Sequence, residues 1–310
     1  MISIIIPVFN SEKTISVLVD DIAKTLGENY KFEIILVNDC SQDNSEVKCK
    51  ELVSKFSNVT LLSLSKNVGE HNAIMAGLNN CSGECAVTMS DDLQHSTSAL
   101  KELIEYGVKE KENFDVVYTY YDKKQDGIIK NFGSRFNGLI ANLLLNKPNS
   151  LYISDFRFIN RFLIDEIIKY KSPFTYLDGI ILGITNKIGK IKVEHSKRSQ
   201  GKSGYTLTKM LQLWSNMSTS FSILPLRLSM LMVLILSILG FILAVLFFIE
   251  RIVDDSVPSG FASIFVSVTI FSGAILIALG LIGEYVGRIF ISLNKKPQFV
   301  IRDSWSNKKK

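Results

Sequence analysis

Short apolar runs recur along the first 120 residues, at Ser3 to Ile6, Glu33 to Val37, Val59 to Leu64, Ala86 to Met89 and Val116 to Tyr120. Each has the length of a strand and is followed by polar or turn-forming residues, which predicts five strands. Between the first two, Ile15, Leu18, Val19, Ile22 and Leu26 fall at spacings of three and four, the stripe of an amphipathic helix, after Asn10 and Ser11 as cap-type residues. Helix-like stretches separate most of the other runs. Strands alternating with helices predict an α/β fold with a mostly parallel sheet and helices on both faces. In such a sheet ligands bind beyond the carboxyl ends of the strands.

The rhythm changes in the last third of the chain. No charge interrupts the 22 residues from Leu228 to Ile249 or the 23 from Phe261 to Gly283, and as helix each run is long enough to cross a hydrocarbon core of ~30 Å. A buried core helix is the competing explanation, but the chain offers no partner helices to cover two such segments on all sides. The intervening Glu250 to Gly260 holds Arg251 against Glu250, Asp254 and Asp255, whereas Arg227, Arg288, Lys295, Lys296, Arg302 and Lys308 to Lys310 flank the outer ends. That asymmetry predicts a multi-pass hairpin in the cytoplasmic membrane with both ends in the cytoplasm. The start at strand-like Ile2 to Pro7, without a charged then apolar leader, is consistent with a large domain that stays inside. The two spans also explain why the mean hydropathy is +0.22. Tyr205 to Phe221, with Leu207, Met210, Leu211, Leu213, Trp214 and Met217, reads as an interfacial helix leading into the first span. The net charge of +5 is modest, is partly explained by the basic membrane flanks and does not suggest nucleic acid. Cys40, Cys49, Cys81 and Cys85 follow no metal-type pairing and receive no function.

Two polar segments follow predicted strands: Asn38-Asp39-Cys40-Ser41-Gln42-Asp43 and Ser90-Asp91-Asp92-Leu93-Gln94-His95. In an extended segment Asp92 and Gln94 point the same way and Asp91 the other. Hard oxygens of this kind suit a divalent cation, Mg²⁺ or Mn²⁺, whose shell is completed by a phosphorylated substrate. A solvated turn capping the next helix is the alternative. His195 to Tyr205 combines three cations, hydroxyls and two glycines, a composition that grips phosphate or rests on anionic lipid. Lys130 and Ser134 share a face of a predicted helix, beside Arg135.

Asp92-Leu93-Gln94-His95, the opening Ile6-Pro7-Val8-Phe9-Asn10 and Val37-Asn38-Asp39-Cys40-Ser41 together resemble the family 2 glycosyltransferases of the Rossmann-like GT-A fold. Gly283-Glu284-Tyr285-Val286-Gly287-Arg288 followed by Lys296-Pro297 resembles the polyprenyl-phosphate sugar transferases more narrowly, so that the likeness spans the whole chain. The resemblance implies inverting transfer of a sugar from a nucleotide sugar, UDP by preference, to undecaprenyl or dolichyl phosphate. It implies that Pro7, Asn10, Asp39, Asp91, Asp92 and Arg198 line the nucleotide-sugar pocket and that Asp92 and Gln94 serve the metal. Ser154-Asp155-Phe156-Arg157 is similar to the family's acidic segment near the reacting centre, which makes Asp155 and Arg157 the catalytic candidates; an ordinary ion pair between them is the alternative. Lys130, Ser134, Arg135, Arg198, Lys202, Ser203 and Tyr205 are implied at the lipid phosphate, and a homo-oligomer is expected. The expected domains are a cytoplasmic GT-A domain over 1–204, the interfacial helix 205–225, spans at 226–250 and 261–287 about an external loop 251–260, and a basic cytoplasmic tail 288–310. Three departures stand out: Ser90 replaces the first acid of an Asp-x-Asp pattern, Asn38 a common Asp, and Cys40 a Gly. Another lipid-linked acceptor, or a non-catalytic adaptor that binds nucleotide sugar, is compatible with the same residues.

Overall fold

A computed structural model describes residues 1–27, 29–120, 153–193, 224–253, 260–294 and 296–307. They fall in two compact units, Met1–Thr206 with Lys295–Lys310, and Leu207–Asn294.

The first unit is built on an eight-stranded sheet of order β7-β5-β6-β4-β1-β2-β3-β8. The five predicted strands are all present, as β1 (Ile2–Val8), β2 (Phe32–Asn38), β3 (Val59–Leu64), β4 (Cys85–Thr88) and β5 (Val116–Tyr120). Three more join them, β6 (Arg157–Asn160), β7 (Ile188–Lys192) and β8 (Ile301–Ser306). β1 pairs in parallel with β2 and β4, β2 with β3, and β5 with β7. β6, between β4 and β5, and β8, beside β3, run antiparallel.

Both faces of the sheet are covered, as the alternation along β1 requires. Ile4, Ile6 and Val8 join the core with Ile15, Leu18, Val19, Ile22 and Leu26 of α1 (Ile15–Leu26), with Cys49 and Leu52 of α2 (Ser45–Lys55) and with Leu100 and Leu103 of α4 (Thr97–Lys109). Ile5 points the other way, toward α3 (Glu70–Asn80), where a Cβ on Gly77 would stand 2.4 Å from its Cγ2. Only glycine lets the helix lie that close. Pro7 is tolerated in a central strand because the β4 ladder stops at Ile5↔Thr88, so the N–H that proline lacks has no partner to miss.

α1 is where the periodicity puts it, but its entry differs. Thr14 is the N-cap and makes no side-chain cap, while Asn10 and Ser11 lie upstream and bond to other loops. Among the described residues the unit also has two short helices, α5 (Arg161–Ile167) and α6 (Leu177–Ile184).

The second unit contains α7 (Leu224–Val253) and α8 (Phe261–Leu293), which pack together; a Cβ on Gly240 would stand 2.5 Å from the ring of Phe271. Within them Leu226–Leu243 and Ile270–Leu293 are apolar and long enough to cross a bilayer, and little of either is covered by the protein. Both helices outrun the uncharged stretches. α8 passes the expected limit at 287 because Glu284 and Arg288, four residues apart, form an ion pair of 2.8 Å along the helix.

The expected basic tail from 288 is therefore not a tail: 288–293 is helix, and Ile301–Ser306 is the edge strand of the sheet. Leu61 pairs with Trp305 and Leu62 with Ser304, and the Lys50 ammonium sits 4.1 Å above the Trp305 ring. The Gln298 carboxamide donates to the carbonyls of Tyr170 and Ser172, both at 2.9 Å, and to Thr175 Oγ1 at 3.2 Å.

Candidate active site

Loops leaving β1, β2, β3 and β4 emerge at one edge of the sheet, and the antiparallel β6 enters there, so residues far apart in sequence meet. Three non-glycine residues at this edge take left-handed backbone conformations, Asn10 (φ 55°), Cys40 (φ 58°) and Leu93 (φ 60°), one after each of β1, β2 and β4. Backbone strain of this kind concentrates where a constellation must be held. Cys40 occupies the position where the resemblance has Gly, and it keeps the conformation that glycine would adopt without penalty.

Side chains stitch the loops together. Asp91 accepts from the Phe9 amide at 3.1 Å and from the Ser11 hydroxyl. Asn10 donates its amide to Ser41 Oγ at 3.1 Å, and its side-chain oxygen accepts from the Gln42 amide at 2.8 Å. Asp39 is buried and accepts from the amides of Val68 at 2.7 Å and Gly69 at 2.9 Å, one on each carboxylate oxygen. It thereby orders the turn through Gly69 (φ 84°) that starts α3. Burial raises the pKa of Asp39 against the lowering by those two amides. Burial likewise raises Asp91, opposed by Ser11 and Phe9.

The segment after β4 is not extended. With Leu93 left-handed, the alternation that was to align Asp92 with Gln94 does not apply. Instead Asp92 Oδ1 accepts from Ser90 Oγ at 2.8 Å and from the Gln94 amide at 3.1 Å, so Ser90, the apparent defect in an acidic pair, orients its neighbour. Among the described residues no three His, Cys, Asp or Glu side chains converge into a metal cage. The hard oxygens of Asp92 and Gln94 suit Mg²⁺ or Mn²⁺ in donor type, provided that substrate phosphates complete the shell.

Asp155 stands at the entry to β6. Its carbonyl accepts from Thr88 Oγ1 of β4 at 2.6 Å, and the next carbonyl, of Phe156, accepts from Thr119 Oγ1 of β5 at 2.8 Å. Phe156 is fully buried and stacks on His95, ring centroids 4.6 Å apart. The backbone is thus pinned from both neighbouring strands while the Asp155 side chain remains 55% exposed. Arg157, a catalytic candidate in sequence, is completely buried and cannot touch a substrate. Its NH2 lies 3.5 Å from Asp155 Oδ1, and its NH1 is bonded to buried Asp178 on α6. The ion pair of Asp155 and Arg157, the alternative to a catalytic role, is present, in a form that leaves the carboxylate more than half exposed.

The pattern of the sequence did not single out Glu70, His71, Tyr118 or Asp178. Glu70, the first residue of α3, keeps an exposed surface while protein groups crowd its carboxylate. Desolvation there, with Asp155 nearby, raises its pKa to about 8. Burial lowers the pKa of His71, whose Nδ1 has no hydrogen-bond partner among the described residues and whose ring meets Tyr176 edge to face at 5.2 Å. The available signal was the polar stretch Ser65 to His71 directly after the third strand, which the carboxyl-edge rule covers. Lys130, Ser134, Arg135, Arg198, Lys202, Ser203 and Tyr205 lie outside the described residues.

Comparison with known proteins agrees with this geometry. Residues 3–168 match the profile "Glycosyl transferase family 2". The undecaprenyl-phosphate 4-deoxy-4-formamido-L-arabinose transferase of Yersinia enterocolitica is 30% identical over 307 residues, covering 97% of this chain and 92% of that protein. Its counterpart in Proteus mirabilis is 29% identical over 309 residues, with 97% and 93% covered. Among solved structures, glucosyl-3-phosphoglycerate synthase of M. tuberculosis superposes with a TM-score of 0.53 at 16% identity, over 71% of this chain and 80% of that one. The same enzyme in complex with Mn²⁺, UDP-glucose and phosphoglyceric acid gives 0.51 at 15% identity, over 70% and 78%. At such identities the structural likeness establishes the GT-A type fold.

Proposed function

Because this chain belongs to glycosyl transferase family 2, we propose that it transfers a monosaccharide from a nucleotide sugar to polyprenyl phosphate at the cytoplasmic face of the membrane. The observation that carries the reading is the end-to-end similarity, over 97% of the chain and both apolar helices, to enzymes named as undecaprenyl-phosphate sugar transferases. A soluble site on a two-helix membrane hairpin suits a reaction between a water-soluble donor and an acceptor embedded in the bilayer.

In this reading the donor is a UDP-sugar. It lies at the carboxyl edge, within the loops carrying Pro7, Asn10, Asp39, Asp91 and Asp92, and Arg198 closes on its phosphates. A divalent cation, held by Asp92 and Gln94 together with the diphosphate, would neutralise the leaving nucleoside diphosphate. Asp92 is turned for that task by Ser90. The acceptor phosphate, largely ionised at neutral pH given a second pKa near ~6, needs little help from a base. Asp155 therefore acts by its charge, orienting the acceptor and stabilising positive charge that develops at the anomeric carbon. A single displacement inverts that centre. Lys130, Ser134, Arg135, Lys202, Ser203 and Tyr205 receive the lipid phosphate.

The test is transfer from radiolabelled UDP- and GDP-sugars to undecaprenyl phosphate in detergent, with Mg²⁺, Mn²⁺ or EDTA, beside Asp92→Ala and Asp155→Ala. An acid-labile lipid product, lost with EDTA and with both substitutions, is expected and identifies the sugar. An acid-stable product would assign another acceptor. Nucleotide binding without any product would sink the reading in favour of an adaptor.

A further inference from the structure

Arg157 raises a problem of its own. A fully buried guanidinium normally has every N–H paired, yet among the described residues Arg157 Nε and NH2 have no hydrogen-bond partner. Its NH1 is anchored on Asp178. Asp178 is itself buried, in the first turn of α6, and accepts a second bond of 2.9 Å from the hydroxyl of buried Tyr118 on β5. The Arg157 guanidinium carbon lies 5.5 Å from the centroid of the Tyr118 ring. The cation is thus held through NH1 by Asp178, and its NH2 lies 3.5 Å from Asp155.

A buried ion pair is a poor device for stability, since apolar residues of similar volume often serve as well or better. What this one provides is a fixed positive charge beneath a half-exposed carboxylate. We propose that Asp178 is a positioning residue for sugar transfer, clamping Arg157 with the help of Tyr118 so that Asp155 is correctly aimed. The inference rests on the role given to Asp155 above. Burial opposes the charge on Arg157, but Asp178, Tyr118, Asp155 and Glu70 outweigh it and hold the proton. The clamp therefore delivers a permanent cation.

Because Asp178 acts through another residue, the test is a double-mutant cycle on the full chain in detergent: Asp178→Asn, Tyr118→Phe, Asp155→Asn, and each of the first two combined with Asp155→Asn. Melting and nucleotide binding check that each variant is folded. Asp178→Asn is expected to lower kcat by about 10- to 100-fold, as misplacement of a reacting group does, with the donor KM nearly unchanged. Tyr118→Phe, which keeps the ion pair, is expected to give a smaller loss in kcat. In the Asp155→Asn background neither change should lower the residual rate further, because the group through which both act is gone. Losses that multiply in that background, or a kcat untouched by Asp178→Asn, would overturn the inference. If Asp178→Asn does not fold, the Tyr118→Phe arm decides alone on the same criterion. Wild-type kcat in Asp155→Asn would instead overturn the role of Asp155 itself, a separate failure.

Discussion

Asp39 separates two physical roles that sequence alone runs together. The family resemblance makes it a ligand for the nucleotide; the structure gives both of its oxygens to the backbone amides of Val68 and Gly69, at 2.7 and 2.9 Å. Substitution by Asn keeps one acceptor and turns an NH₂ group toward the other amide, so one charge-assisted bond is lost, about 1.5–3 kcal/mol. Relief from burying the charge, which raises the Asp39 pKa, offsets part of that loss. A net destabilisation of roughly 2 kcal/mol remains, and for a domain of this size it lowers the melting temperature by about 4–8 °C. Thermal unfolding of the full chain in detergent, followed by intrinsic fluorescence, measures it. The same preparation, titrated with UDP, reports ligand affinity. A variant that melts within about a degree of the parent while binding UDP far more weakly would refute the loop-holding role and leave Asp39 a ligand contact only.

Further outcomes follow from other parts of the molecule. Cys40→Gly relieves a left-handed residue and is expected to raise the melting temperature by about 1–3 °C, the gain of roughly a kcal/mol being partly cancelled by the more flexible unfolded chain. Glu70, with its folded-state pKa raised to about 8, binds more protons folded than unfolded, so it costs stability as pH rises from the ordinary carboxylate range through 8. Glu70→Gln should therefore stabilise the protein relative to the parent at pH 8 more than at pH 5, and melting curves at the two values check the sign. Gln298→Ala strips two amide protons from the three acceptors they share, at Tyr170, Ser172 and Thr175. It should destabilise the first unit by about 2–3 kcal/mol, read as a lower melting temperature, whereas Gln298→Glu should do more damage by setting a charged acceptor against carbonyls.

Strands with strong alternation or continuous apolar character were legible in the sequence, and so was the stripe of α1, because sheet and helix periods leave different marks. The missed strands lack such marks. β7 reads Ile-Gly-Lys-Ile-Lys, β6 opens on an arginine, and β8, Ile-Arg-Asp-Ser-Trp-Ser, is mostly exposed at a sheet edge. Edge strands carry polar residues and little pattern. In the site, spacing located the right loops but not their conformation. The left-handed Leu93 redirects Asp92 and Gln94, and Asn10 and Ser11 bond across loops instead of capping α1. Arg157 could be associated with Asp155 by adjacency, but its burial depends on Asp178, which is distant in sequence and comes near only through the β5–β6 pairing and the packing of α6.

The order of the chain gives β8 a significance beyond its few hydrogen bonds. Leu62 on β3 waits for Ser304, and between them in sequence come β4 to β7 and both apolar helices. During synthesis the edge of β3 therefore stays open until α7 and α8 have left the ribosome. An open strand edge is a template for pairing with other chains. Only a chain that has been made through its second long helix can seal that edge with its own residues, so completion of the sheet is a built-in report that both apolar helices have been made in full.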